Sequence, residues 1–131
     1  MEKKSIMRAF NNHIDELIDD LLIIYPKEAE LYTIKTFCGT LKKVNPTCMI
    51  KLWYNNITVN YKKQIEDADE DFFKNEKFDI NKVNNKEYNM KKLERFFYII
   101  QGALKEIDED NKKKCFKYLQ NLTKMSELYF N

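Results

Sequence analysis

The chain has 131 residues, of which 44% are hydrophobic and 34% charged, and its formal net charge is +2. That length suits one domain, residues 1–131, with a single core, and that balance excludes a disordered chain. Two Gly and two Pro are too few for the turns of a sandwich or barrel, so the composition predicts an all-α fold.

In chain order, the first helix is predicted over about Lys3 to Tyr25, where Ile6, Phe10, Ile14, Leu17, Leu21 and Tyr25 recur at helical spacing. Asp15, Glu16, Asp19 and Asp20 fall on the opposite face and read as solvated. Pro26 ends this helix, because the residue before a proline is pushed out of the helical region. It can also open the next helix, with Glu28 and Glu30 favoured by the helix dipole. Leu31, Ile34, Cys38 and Leu41 form the second stripe, with Phe37 and Val44 beside it. Gly39 lies inside that helix, at a cost of about 1 kcal/mol relative to Ala, and a close helix contact is the expected reason.

Asn45-Pro46 reads as an N-cap followed by proline at the first helical position. Met49, Ile50, Trp53 and Ile57 mark a third helix, and the β-branched run Ile57-Thr58-Val59 predicts a kink or break near Asn60, before Tyr61 to Glu66. Asp69 is placed to cap a short turn carrying Phe72 and Phe73, and residues 75–86 read as a loop. From 87 to 107, Met90, Leu93, Phe97, Ile100, Leu104 and Ile107 form a stripe that Phe96, Tyr98, Ile99 and Ala103 widen almost all round. The last helix, 111–129, turns Cys115, Tyr118, Leu119, Leu122, Met125 and Tyr129 inward and forms an antiparallel hairpin with 87–107. The expected architecture is a single bundle of five to six helices around a central helix at 87–107.

Little in this chain points to catalysis. His13 is the sole histidine and borders the first apolar stripe, where it reads as a half-buried structural residue. Cys38, Cys48 and Cys115 are an odd set without a C-x-x-C pair, so free thiols in a reducing, intracellular compartment are expected. Asp67, Asp69 and Asp71 start like a calcium loop, but Phe72 and Phe78 stand where Gly and a bidentate Glu are needed. Gly39 and Gly102 cannot build a phosphate loop. No enzyme activity, cofactor, metal or small-molecule substrate is therefore expected. The apolar runs are also far too short to span a membrane, and the N-terminus has no apolar signal core.

Two surfaces remain as candidates. Eighteen aromatics (one Trp, eight Tyr, nine Phe) exceed what one small core needs. Trp53, Tyr54, Phe72, Phe73, Phe78, Tyr129 and Phe130 cannot all be central, so some are expected at the surface as anchors for a protein partner, and the candidates are Trp53, Tyr54, Phe72, Phe73, Tyr129 and Phe130. The alternative is nucleic acid, held by Lys113, Lys114, Lys117 and Lys124 on the outer face of the last helix, with Gln120 among them and Lys112 nearby. Against this, the basic residues are 21 Lys and only two Arg, Arg8 and Arg95, and Arg is the better reader of phosphates and bases.

Asn11-Asn12-His13, Asn45-Pro46 through Ile50-Lys51-Leu52-Trp53, Tyr61-Lys62, Gln64-Ile65-Glu66, Phe72-Phe73-Lys74-Asn75 and Tyr118-Leu119-Gln120-Asn121-Leu122 together resemble a family of small helical proteins of nucleocytoplasmic large DNA viruses. The resemblance covers nearly the whole chain and carries no catalytic motif. It implies a viral protein of the infected host cytoplasm, associated with the virion as a minor structural component and bound to a viral partner or to itself. The segment around Asn60 departs from the family pattern by lacking a proline, which puts the break expected there in doubt.

Overall fold

The computed structural model describes residues 2–75 and 88–131, and the regular elements among them are all helical. They are α1 (Lys3–Ile24), α2 (Ala29–Val44), α3 (Cys48–Trp53), a π-helical turn (Tyr54–Thr58), α4 (Val59–Glu66), α5 (Glu70–Asn75), α6 (Tyr88–Glu106) and α7 (Glu109–Phe130). This is the predicted all-α bundle. Of the stretch expected as a loop, Asn75 ends α5, and the remainder, Phe78 included, lies outside the described residues.

The boundaries follow local chemistry, with small shifts. Pro26 and Pro46 both lie in the turn before a helix and not at its first residue. Asn45 closes α2 by donating its N–H to Leu41 O, and its own carbonyl accepts from Cys48 N. Asp69 caps α5 as expected, its carboxylate accepting from Phe72 N at 3.1 Å. Ahead of it, Asp69 N donates to Gln64 O and Ala68 N to Ile65 O, the paired bonds of a Schellman ending, and they hold Ala68 at φ 49°. α7 begins two residues earlier than expected, because Asp108 caps it by accepting from Asn111 N at 2.8 Å.

The break expected near Asn60 does not form. Instead α3, the π turn and α4 run on as one helical rod, and the β-branched strain is taken up one turn earlier. Two asparagine side chains bond backbone carbonyls one turn back along this stretch. Asn56 Nδ2 donates to Leu52 O and Asn60 Nδ2 to Asn56 O, both at 2.9 Å. The wide turn also buries three successive residues, Asn56, Ile57 and Thr58.

One buried cluster joins all the helices. α1 lies along α7, and α7 also packs on α3, the π turn, α4 and α6, whereas α6 packs on α5, α7 and α2. Among the described residues the hub is thus α7, and not the helix at 87–107. α6 buries Phe96, Phe97, Ile100 and Leu104 but leaves Tyr98 41% exposed. The reason lies in Thr123 and Ser126, which extend the inward face of α7 past its apolar stripe. Both are small enough to admit a close neighbour, and both hydroxyls are bonded. Trp53 Nε1 donates to Thr123 Oγ1 at 3.2 Å, while Ser126 Oγ lies 2.6 Å from Thr58 Oγ1 and donates to Thr123 O at 2.7 Å.

Three further expectations are overturned by the packing. Trp53 and Phe73 are core residues at 0% and 1% exposure, not surface anchors. Trp53 sits between Phe10 and Phe97, with ring centroids at 6.0 and 5.1 Å, and Phe73 packs edge-on against Phe116 at 5.6 Å. Val44, expected beside the α2 stripe, is 78% exposed. Gly39 has no close helix contact, since a Cβ built on it would meet nothing within 4 Å.

Two changes test this packing. Trp53→Ala should cost about 3–5 kcal/mol by denaturant unfolding, because it opens a cavity and strands the Thr123 hydroxyl. Gly39→Ala should add roughly 0.5–1 kcal/mol by removing the glycine penalty inside a helix; no gain would mean the site is crowded.

Candidate functional site

Of the six aromatics expected as anchors, the structure gathers three. Tyr54, Tyr129 and Phe130 are half-buried where the start of α1, the π turn and the end of α7 meet. The Tyr54 and Phe130 rings lie 4.6 Å apart, those of Tyr129 and Phe130 4.9 Å, and Lys3 Nζ lies 5.6 Å from the centre of the Tyr129 ring. Phe72 is half-buried elsewhere, between Tyr61 and Phe73. Trp53 and Phe73 belong to the core.

The four lysines of α7 all remain exposed. Among the described residues, Lys113, Lys114, Lys117 and Lys124 make no ion pair, while Lys35, Lys42, Lys62, Lys112 and Arg95 do. Lys112 is only 9% exposed and lies 3.3 Å from Glu109 and 3.9 Å from Glu70, so it ties α7 to α5 and leaves the basic face. Gln120 leaves it too, because its Nε2 donates to Ile65 O and Glu66 O and so closes the end of α4.

The seam between α1 and α7 holds the densest polar chemistry. The acidic face of α1, expected to be solvated, is largely partnered: Asp15 with Lys42, Asp19 with Lys35 at 2.7 Å, and Asp20 with the Tyr118 hydroxyl, which donates to it. Burial and that bond to Asp20 both push the Tyr118 phenol well above its ordinary value. His13 is half-buried as predicted. Its ring lies 4.6 Å from that of Tyr118, Nε2 lies 3.4 Å from Asn121 Nδ2, and Nδ1 lies 3.7 Å from Glu16.

Two recesses open along this seam. A cavity of about 150 Å³ has walls of Leu17, Leu21, Ile24, Ile107 and Cys115, with Asp20, Lys114 and Tyr118 at its polar side. A second, shallower recess of about 270 Å³ shares those last three residues and adds His13, Lys117 and Asn121. Asp20, Tyr118 and Asn121 were not singled out as site residues from the sequence. Their only local signal is a position at the margin of an apolar stripe, and nothing local says that the first and last helices pair.

The thiols are free and buried. Burial raises Cys38 and Cys115 to about 12, so neither is a thiolate near neutrality. Among the described residues no group of three or more His, Cys, Asp or Glu is placed to hold a metal ion, and no helix is long and apolar enough to cross a membrane. No family model matches the chain, and no curated protein or solved structure is significantly similar to it.

These environments set an alkaline limit. Cys38, Cys115 and Tyr118 are all raised in the folded state, so their contribution is complete below their unfolded values and falls as pH rises past them. Urea unfolding between neutral and strongly alkaline pH should show stability declining above about pH 9, where the unfolded thiols begin to ionise. Tyr118→Phe should flatten the part of the decline that sets in near pH 10; an identical slope would show that Tyr118 carries none of it.

Proposed function

We propose that this protein is a non-catalytic interaction module that docks on a protein partner through its aromatic end. The observation that carries this reading is the group Tyr54, Tyr129 and Phe130, held in ring contact but only half covered. Rings fixed by their neighbours lose little freedom on binding, and aromatics are enriched in interface cores. The commitment of the reactive side chains to structure supports the same reading. Two of the thiols are held protonated by burial, and His13 is wedged between Tyr118, Asn121 and Glu16. On the resemblance read from the sequence, the partner is a viral protein or a second copy, met in infected cytoplasm or in the virion.

A second reading, nucleic-acid contact, draws on the exposed Lys113, Lys114, Lys117 and Lys124, which make no ion pair among the described residues. It is weakened by the acidic face of α1 beside them.

Tyr54→Ala and Phe130→Ala should leave the helical circular dichroism intact and weaken association. Concentration-dependent light scattering reads self-association, and co-purification of a tagged copy with and without nuclease reads other partners. Each change should cost more than tenfold in affinity if these rings form the interface centre; unchanged association with an intact fold removes the aromatic end from consideration. DNA binding that fades steeply with salt and disappears in a Lys113→Glu, Lys117→Glu, Lys124→Glu variant would favour the second reading instead.

A further inference from the structure

We infer that the seam between α1 and α7 is a binding site for a small anionic amphiphile, a short apolar chain ending in a carboxylate or phosphate. The site is separate from the aromatic end, and the inference does not depend on docking there. The apolar half is the cavity of about 150 Å³. It opens to solvent on its polar side, and its volume compares with that of cavities that admit a small apolar molecule, so it has room for a short apolar chain against its aliphatic walls. Its walls are firm: Leu17, Leu21, Ile107 and Cys115 are at most 9% exposed and belong to the common core. At its lip Ile23 is 78% exposed, an apolar surface that a chain entering from solvent would cover.

The polar half supplies the head-group contacts. Asp20, Lys114 and Tyr118 line both recesses, so the two adjoin, and a chain seated in the first ends beside the second. There Lys114 and Lys117 present two cations without an ion-pair partner among the described residues, and Asn121 carries amide donors. Among the lining residues the opposing charge is Asp20, already accepting a hydrogen bond from Tyr118; outside the lining, Asp19 is paired with Lys35 and Glu16 lies 3.7 Å from His13. The lining itself thus carries two cations against one carboxylate, enough for a single small anionic head though not for a long polyanion, and Lys114, next to Cys115 on α7, is placed where chain and head would join. A free anion would forgo the cavity, and a neutral apolar molecule would forgo the lysines.

The test is a titration at neutral pH, below micelle formation, with octanoate, octyl phosphate, octanol and inorganic phosphate, read by amide and methyl NMR shifts. Octanoate and octyl phosphate should both bind and shift Ile24, Ile107 and Lys114, and their ratio shows which head is preferred. Lys114→Gln with Lys117→Gln should weaken both about tenfold and leave octanol unchanged. Ile24→Phe, which fills the cavity from its edge, should abolish chain binding with helical content retained. Phosphate binding as tightly as octyl phosphate would make this a plain anion site and overturn the inference. Octanol matching octanoate, no shift at millimolar ligand, or an Ile24→Phe variant that is folded and still binds would overturn it as well.

Discussion

A tryptophan with no accessible surface needs apolar walls on every side and a partner for its indole N–H, and Trp53 meets both needs only because α7 passes beside it. Phe10 of α1 and Phe97 of α6 supply the walls, while Thr123 of α7 accepts the N–H. Three helices remote in sequence from the one that carries Trp53 are thus held to one ring. The adjoining π turn serves the same contact. It presents Thr58 to Ser126, and the side chains of Asn56 and Asn60 bond the Leu52 and Asn56 carbonyls along it. An unsatisfied buried polar group would cost a few kcal/mol, so these bonds are conditions of the packing and not additions to it.

From that arrangement comes the pairing of the first helix with the last, and from the pairing comes the seam. α1 brings a row of carboxylates to the edge of its buried face, and most of them find partners there: Lys35 and Lys42 from α2, the Tyr118 hydroxyl from α7. Surface ion pairs of this kind add little stability each. Their effect here is on charge. They quiet the acidic side, whereas Lys114 and Lys117 of α7 have no ion-pair partner among the described residues, and that imbalance next to an apolar cavity makes the seam chemically distinct. At the other end of α7, half-covered rings provide a surface suited to a protein.

Much of this was legible beforehand. The buried faces of α1, α2 and α7 follow the spacing of their apolar residues, and Asp69 marks a helix start by side-chain chemistry. Boundaries set by proline slipped by two or three residues, because a proline is as content in the preceding turn as at the first helical position. The candidate site was less legible. Trp53 and Phe73 have the same character as Tyr54 and Phe130, and only their neighbours separate core from surface. Surplus aromatics signalled that some rings would be exposed without saying which.

The sequence by itself determined the all-helical class, the inward stripes of α1, α2 and α7 and the half-buried state of His13, because these depend on residues within one or two turns of each other. The tertiary structure decided the rest: that α7 and not α6 is the hub, that the strain of Ile57-Thr58-Val59 becomes a π turn, that Lys112 and Gln120 leave the basic face, and that Asp20, Tyr118 and Asn121 share a seam. Each of these depends on contacts between residues tens of positions apart, from Thr58 with Ser126 to Asp20 with Tyr118. Local periodicity carries no information about which helix lies opposite which, and packing alone supplies it.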